Sequence, residues 1–98
     1  MAATVKILWT PLAINHLKAA FEYLVMKDPG AAERVIQRIL SAAEALMQHP
    51  DMGRPARVEG TREIVITRTP FIVAYRAGAG HVEILAVLHT ACRWPESF

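Results

Sequence analysis

The sequence predicts one α+β domain of two layers, in which a helical hairpin packs on one face of a mainly antiparallel, twisted sheet. Three observations lead to this prediction. A short apolar run opens the chain, two segments with helical spacing of apolar residues follow, and three β-branched runs close it. The predicted order is therefore β-α-α-β-β-β, and helices grouped ahead of a strand meander favour packing on the same face. We take residues 1–98 as a single domain.

Residues 4–9, TVKILW, form the first predicted strand. Thr10-Pro11 then has the residue types of a helix start, because a threonine side chain caps backbone N–H groups and proline suits the first helical position. We expect this first helix to end near Lys27. Its apolar stripe has spacings of three and four residues: Ile14, Leu17, Phe21, Leu24 and Val25.

Asp28-Pro29 repeats the same start signal and predicts a second helix directly after the first. His49-Pro50 ends it, and so short a joint predicts two antiparallel helices. The second helix carries a longer amphipathic stripe: Ala32, Val35, Ile36, Ile39, Leu40, Ala43, Leu46 and Met47.

Residues 51–60 form a predicted loop, since two glycines and a proline interrupt any regular pattern. Strands are predicted at 62–67, 71–76 and 82–89. Thr69-Pro70 marks the first turn and residues 78–80 the second, where glycine allows positive φ. The first of these strands alternates, with Ile64 and Ile66 on its apolar side.

Charge is distributed unevenly, although the net charge is only +2. Residues 54–98 carry six cations and four anions, and all six cations are arginine. Because arginine offers a planar fork of donors that matches carboxylate and phosphate, this half predicts an anionic partner, either nucleic acid or an acidic protein surface.

Other features limit the class of protein. The single cysteine makes no internal disulfide, which favours a cytoplasmic setting, and no apolar run is long enough for a membrane span. The four histidines have no ligand spacing, and no glycine-rich phosphate loop is present. We therefore predict no metal and no cofactor.

Seven short fragments, spread in order along the whole chain, carry a resemblance to a known family. They are WTP at 9–11, AA at 31–32, HPDMGRP at 49–55, VEGTRE at 58–63, PFIVAYR at 70–76, VLH at 87–89 and RWP at 93–95. In these fragments the chain resembles the RelE/ParE superfamily of bacterial type II toxin–antitoxin modules, and it is more similar to the ParE-type branch.

The resemblance implies a small cytoplasmic growth inhibitor of the plasmid-stabilisation kind, silenced by an antitoxin that folds onto it. ParE-type members poison DNA gyrase, and RelE-type members cut messenger RNA in the ribosome. A ParD-like antitoxin and DNA gyrase are thus the expected partners. Direct binding to nucleic acid is not expected outside the antitoxin complex. The free toxin is a possible homodimer.

Cleavage of RNA needs a proton acceptor, a proton donor and cations around the phosphate. The candidates here are His89, Arg68, Arg93 and Tyr75. However, no lysine follows Lys27 and no tyrosine follows Tyr75 in the sequence. The strand at 62–67 also has glutamate and valine where RelE-type members carry basic residues. The sequence therefore favours a toxin that binds over one that cleaves.

Three hypotheses remain: a gyrase-binding toxin, a ribosome-dependent endoribonuclease, and an inactive module that only co-represses with its antitoxin. For the first, target contacts are predicted at loops and strand ends: Arg54, Arg57, Arg62, Arg68, His89 and Arg93. The antitoxin is predicted to lay an amphipathic face or an added strand in a groove between the hairpin and the sheet. Its predicted contacts are Leu17, Phe21, Leu24, Val35, Ile39 and Trp94.

Overall fold

The computed structural model describes residues 5–90, Pro95 and Phe98. It confirms the α+β class, with two helices packed on a five-stranded sheet. Arg93 and Trp94 lie outside the described residues. The elements are β1 (Lys6–Trp9), α1 (Pro11–Lys27), α2 (Pro29–Ala45), β2 (Arg54–Pro55), β3 (Arg62–Val65), β4 (Phe71–Gly78) and β5 (His81–His89).

The sheet has the strand order β1-β5-β4-β3-β2. The β3, β4 and β5 strands form the predicted antiparallel meander, and β1 joins its far side parallel to β5. The first strand therefore lies at one edge of the sheet, directly beside the last strand. At the opposite edge, β2 pairs with β3 over two residues only.

Both predicted helix starts are confirmed in atomic detail. The Thr10 hydroxyl accepts the backbone N–H of Ala13 at 3.1 Å. The Asp28 carboxylate accepts the N–H groups of Gly30 and Ala31 at 3.1 and 3.2 Å. The N–H of Asp28 also donates to the carbonyl of Leu24 at 2.8 Å, so one residue ends α1 and begins α2. This double role explains how a single residue can connect the two helices.

Several boundaries differ from prediction. Among the strands, β3 ends at Val65 rather than at residue 67, and β4 continues to Gly78 rather than ending at residue 76. The second helix ends at Ala45, and residues 46–48 continue as hydrogen-bonded turns rather than as helix. Within the predicted loop 51–60, Arg54–Pro55 forms the short strand β2. It pairs with Arg62 and Glu63 across the rest of the loop, and the preferences of single residues do not encode such a pairing.

The core lies between the helices and one face of the sheet. Val73, Tyr75 and Ile84 from the strands are fully buried there with Ile39 and Leu46 from the second helix and the turn after it. The other face of the sheet holds a second, smaller cluster of Ala74, Ala86 and Leu88. The centre of this second face is therefore buried as well.

The N-terminal half of α1 covers the outer edge of β5 beyond the end of β1. The register of β4 and β5 shifts between Ala74 and Tyr75, so that Leu85 has no partner across the ladder. The Thr10 hydroxyl donates to the carbonyl of Leu85 at 3.1 Å. Farther along, the N–H of Val87 donates to Nδ1 of His16 at 3.2 Å. Side chains of α1 thus satisfy backbone groups that an exposed edge would leave open.

The His16 contact makes the folding free energy depend on pH. Because Nδ1 accepts a hydrogen bond, this ring is neutral, and burial lowers the pKa of His16 below its usual value. In the unfolded chain His16 takes up a proton near pH 6.5, whereas in the folded chain it does so only at lower pH. The free energy of unfolding therefore falls as the pH drops below 6.5.

We expect chemical-denaturation midpoints of the wild type to fall between about pH 7 and 5. In His16→Asn, the amide oxygen replaces Nδ1 as acceptor and does not titrate, so the same decline should be shallower. Parallel profiles for the two proteins would show that His16 does not account for the pH dependence.

Candidate protein-binding groove

A groove of about 820 Å³ runs between the second helix and the β3 edge of the sheet. Its inner surface is apolar, since Ile64 and Ile66 are buried and Ala42 is half-buried. Exposed Met52 and Val65 extend the apolar surface outward. The full lining is Gln37, Arg38, Ser41, Ala42, Met52, Arg54, Glu63, Ile64, Val65, Ile66, Thr67 and Arg68. We name this feature the α2–β3 groove.

Three arginines give the α2–β3 groove its charge. Arg38 donates from Nη1 to the carbonyl of Thr67 at 3.3 Å. Arg54 lies 3.5 Å from the Glu63 carboxylate, and Arg68 is exposed in the β3–β4 turn. Among the described residues that line the groove, Glu63 is the one acid, so the lining carries a net charge of +2. An apolar surface beside excess guanidinium groups suits a protein segment that combines apolar and acidic residues.

Tyr75, a candidate catalytic residue, lies in the core instead. Its hydroxyl accepts the N–H of Gly53 at 2.8 Å and donates to the carbonyl of Pro50 at 2.8 Å. Burial raises the pKa of this phenol above its usual value. The hydroxyl is therefore committed to the backbone of the loop after α2, and this position corrects the catalytic assignment.

Arg62, a predicted target contact, also binds that loop. Its Nη1 donates to the carbonyl of Gly53 at 2.7 Å, and the side chain is half-buried. Together Tyr75 and Arg62 hold both backbone groups of Gly53 and fix where β2 begins. Arg57 is exposed in the loop after β2 and does not line the groove.

His89 is the last residue of β5 and lies opposite Phe71 in the sheet. Its ring meets the Phe71 ring edge-on, with centroids 5.5 Å apart. Because Phe71 directly follows the turn that carries Arg68, the structure brings His89 and Arg68 to the same end of the sheet. Two of the predicted target contacts thus share one end, while Arg54 lies farther along the groove.

The predicted antitoxin contacts are mostly covered by the protein itself. Ile39 has no exposed surface, because the second helix turns this side chain into the core, and this corrects its assignment as a partner contact. Leu17, Leu24 and Val35 are half-buried against the same core. Only Phe21 of the described candidates is well exposed, at 43%.

Sequence reasoning missed Arg38 and Ala42 as groove residues. Neither belongs to the apolar stripe predicted for the second helix, yet both line the boundary of that helix with β3. Their spacing of four residues puts them on one flank of the helix, and an arginine beside a small residue on such a flank was the available signal. Which flank faces the sheet depends on the packing of the whole hairpin.

Other site classes find no support in the described part of the chain. No three His, Cys, Asp or Glu side chains there come together in a way that would hold a metal ion. In residues 5–90, neither helix has the length and apolar character needed to cross a membrane.

Comparisons with known proteins find toxins of the RelE/ParE superfamily. A family profile described as the ParE toxin of the type II toxin–antitoxin system parDE matches residues 7–94. The putative toxin Y4kP of Sinorhizobium fredii is 42% identical over 91 residues, covering 93% of this chain and 94% of that protein. Toxin RelE2 of Caulobacter vibrioides is 33% identical, covering 88% and 96%. Among solved structures, a chain of the chromosomal ParDE system from P. aeruginosa superposes with a TM-score of 0.81 at 26% identity, covering 90% of this chain and 98% of its own.

Proposed function

The chain belongs to the ParE family of toxins from type II toxin–antitoxin systems, and from this premise we propose that it arrests bacterial growth by binding DNA gyrase in the cytoplasm. We further propose that a ParD-like antitoxin silences it. The observation that carries this proposal is the family match over residues 7–94. A relative solved as part of a ParDE system supports the antitoxin partner.

The chemistry of the β3 strand supports a toxin that binds rather than cleaves. Its side chains away from the core are Glu63 and Val65, where an RNA-cleaving member of the superfamily would need cations to neutralise the phosphate. Tyr75 has its hydroxyl engaged by the backbone of two loop residues. The described residues therefore offer no proton donor beside a cluster of cations on this strand.

The α2–β3 groove is the proposed antitoxin site. An antitoxin segment lying there would cover Arg54 and Arg68, which are also predicted target contacts. Neutralisation then follows from occlusion, because a target that needs these guanidinium groups cannot reach them while the antitoxin is bound.

The experiment that tests the gyrase proposal measures supercoiling and DNA cleavage by purified gyrase in the presence of the toxin. We expect the wild type to inhibit supercoiling and to increase linear DNA. Arg68→Glu should weaken both effects about tenfold or more, since it reverses a charge at the contact surface. Lys18→Glu reverses a charge on the exposed surface of α1, which does not line the groove, and should have little effect. Gyrase activity unaffected by a large excess of folded toxin would disprove the proposed target.

One observation favours a second candidate function, the RelE-like cleavage of messenger RNA. His89 and Arg68 lie at the same end of the sheet, where an imidazole and a guanidinium group together suit acid–base chemistry on a phosphate. Induced expression separates the two functions: filamentation with a DNA-damage response indicates gyrase, and an immediate block in translation indicates cleavage. If cleavage is found and His89→Ala retains it fully, His89 is not the acid–base residue.

A further inference from the structure

The turn between β3 and β4 holds Arg68 in a backbone conformation that arginine rarely adopts. Its φ is 64°, and in the described part of the chain no other residue except glycine has a positive φ. The N–H of Thr69 donates to the carbonyl of Ile66 at 3.1 Å, so Thr67 and Arg68 are the two central residues of a β-turn. A positive φ at the second of these positions defines a type II turn, which favours glycine there because a Cβ crowds the neighbouring carbonyl oxygen.

Hydrogen bonds on both sides of Arg68 hold the turn in this shape. The Thr69 hydroxyl donates to the carbonyl of Ile66 at 2.9 Å and accepts the N–H of Phe71 at 3.1 Å. The N–H of Ile66 also donates to the carbonyl of Phe71 at 3.0 Å. An unfavourable φ persists only where the surrounding structure imposes it, and such residues concentrate at functional sites. The strain at Arg68 therefore points to a use for its side chain.

The Arg68 guanidinium group is available to a partner. It is exposed where it lines the α2–β3 groove, and no hydrogen bond or ion pair to the described residues engages it. In contrast, Arg54 lies against the Glu63 carboxylate, and Arg62 donates to the carbonyl of Gly53. A free guanidinium group on a fixed turn suits a binding contact, because less of the chain has to be ordered when the partner arrives.

The surroundings of Arg68 suit a carboxylate on a protein better than the backbone of a nucleic acid. A polynucleotide is bound by several cations along its phosphates. The outward side chains of the adjoining strand β3 are instead Glu63 and Val65, an acid and an exposed apolar residue. A single guanidinium group beside an apolar surface matches one carboxylate within a protein interface, which it can bind with two parallel hydrogen bonds.

We propose that Arg68 determines the specificity for the target by binding one carboxylate of gyrase, and that Arg38 is a positioning residue for it. Arg38 reaches from α2 and donates to the carbonyl of Thr67 at 3.3 Å, directly before Arg68 in the turn. This inference rests on the proposed function, because the partner is taken to be gyrase. The arginine lowers stability and raises affinity for the target, so a change at residue 68 should separate the two properties.

Two variants at one position test this separation. Arg68→Gly and Arg68→Ala both remove the guanidinium group, but only glycine relieves the backbone. We expect the Tm of Arg68→Gly to exceed that of the wild type by about 3 °C or more, and Arg68→Ala to melt within about 2 °C of the wild type. Both should inhibit supercoiling by purified gyrase about fivefold or more weakly. An Arg68→Gly protein that is no more stable than Arg68→Ala, or that inhibits gyrase as well as the wild type, would overturn the inference.

Arg38→Met tests the positioning role, because it removes the donor to the Thr67 carbonyl and keeps a long side chain. We expect about threefold weaker inhibition of gyrase in the wild-type background and no further loss in the Arg68→Gly background, since residues that act through one another are not additive. Equal losses in the two backgrounds would mean that Arg38 contacts the target directly, and its positioning role would be wrong.

Two further results separate this inference from the proposed function. If the wild type arrests growth but leaves gyrase unaffected, the proposed target is wrong, and growth arrest by the same variants then decides whether Arg68 is the contact. A fluorescein-labelled DNA duplex without gyrase is the second probe. Binding of this duplex by the wild type, lost in Arg68→Gly, would place a phosphate at Arg68 and overturn the inferred carboxylate.

Discussion

Replacing Ile39 with alanine should destabilise the protein by about 2–5 kcal/mol, the usual range for truncating a fully buried aliphatic side chain. Ile39 has no exposed surface and packs in the main core with Ala43 and Leu46. The loss combines the transfer free energy of the deleted carbons with the cost of the cavity that they leave. The other buried residues of α2 are Ala32 and Ala43, and alanine side chains cannot move to fill that cavity.

The free energy of unfolding is measured by urea titration. The slope of that free energy against urea concentration is compared with the slope of the wild type. Phe21→Ala is the matched control, because Phe21 lies on the first helix, was predicted to share the same partner surface and is 43% exposed. We expect this control to lose about 1 kcal/mol or less, as is usual for exposed positions. An Ile39→Ala protein as stable as the wild type would place the side chain at the surface and restore it as a candidate antitoxin contact.

The comparison of these two residues shows how far the sequence determines the site. Spacings of three and four residues correctly placed Ile39 on the buried face of α2. They also placed Phe21 in the apolar stripe of α1, but the buried residues of that helix are Ala13 and Ala20, and Phe21 is 43% exposed. The periodicity of one helix does not say how much of its apolar stripe the rest of the protein covers, because that depends on how the hairpin crosses the sheet. The fold class and both helix starts were predictable, since Thr10 and Asp28 act on N–H groups within three residues of themselves.

The groove was less predictable because its lining comes from three separate parts of the chain. Arg38 and Thr67 are 29 positions apart, and Gly53 and Tyr75 are 22 positions apart. Tyr75 follows the apolar residues 71–74, but nothing local pointed to Gly53 as its partner. The short strand β2 follows from that contact, since the tethered Gly53 sets where pairing with β3 begins.

Replacing Gly53 with alanine should cost about 3 kcal/mol or more, because the added methyl has no space. A Cβ at this position would lie 2.6 Å from the Tyr75 hydroxyl oxygen, 2.7 Å from Cε1 of the same ring and 2.8 Å from the carbonyl oxygen of Glu63. Two of these three neighbours are rigid, being a buried ring and sheet backbone. The loop cannot move aside without breaking two hydrogen bonds, one donated by the Gly53 N–H to the Tyr75 hydroxyl and one donated by Arg62 to the Gly53 carbonyl.

Gly30→Ala is the matched control, since it adds the same methyl in the first turn of α2. Its nearest neighbour there, at 3.4 Å, is the flexible end of Arg34, so we expect this variant to gain up to about 1 kcal/mol. In thermal melts of a domain of this size, the two variants should then differ by roughly 15 °C or more.

A third variant separates the steric effect from the hydrogen bond. Tyr75→Phe removes the hydroxyl and leaves the N–H of Gly53 and the carbonyl of Pro50 without their partner, at a cost of about 1–3 kcal/mol. Adding Tyr75→Phe to Gly53→Ala removes the contact with the hydroxyl but not those with Cε1 and the Glu63 carbonyl. We therefore expect at most partial rescue. Full rescue would mean that the hydroxyl alone excludes a side chain at residue 53, and that the loop is free to move relative to β3.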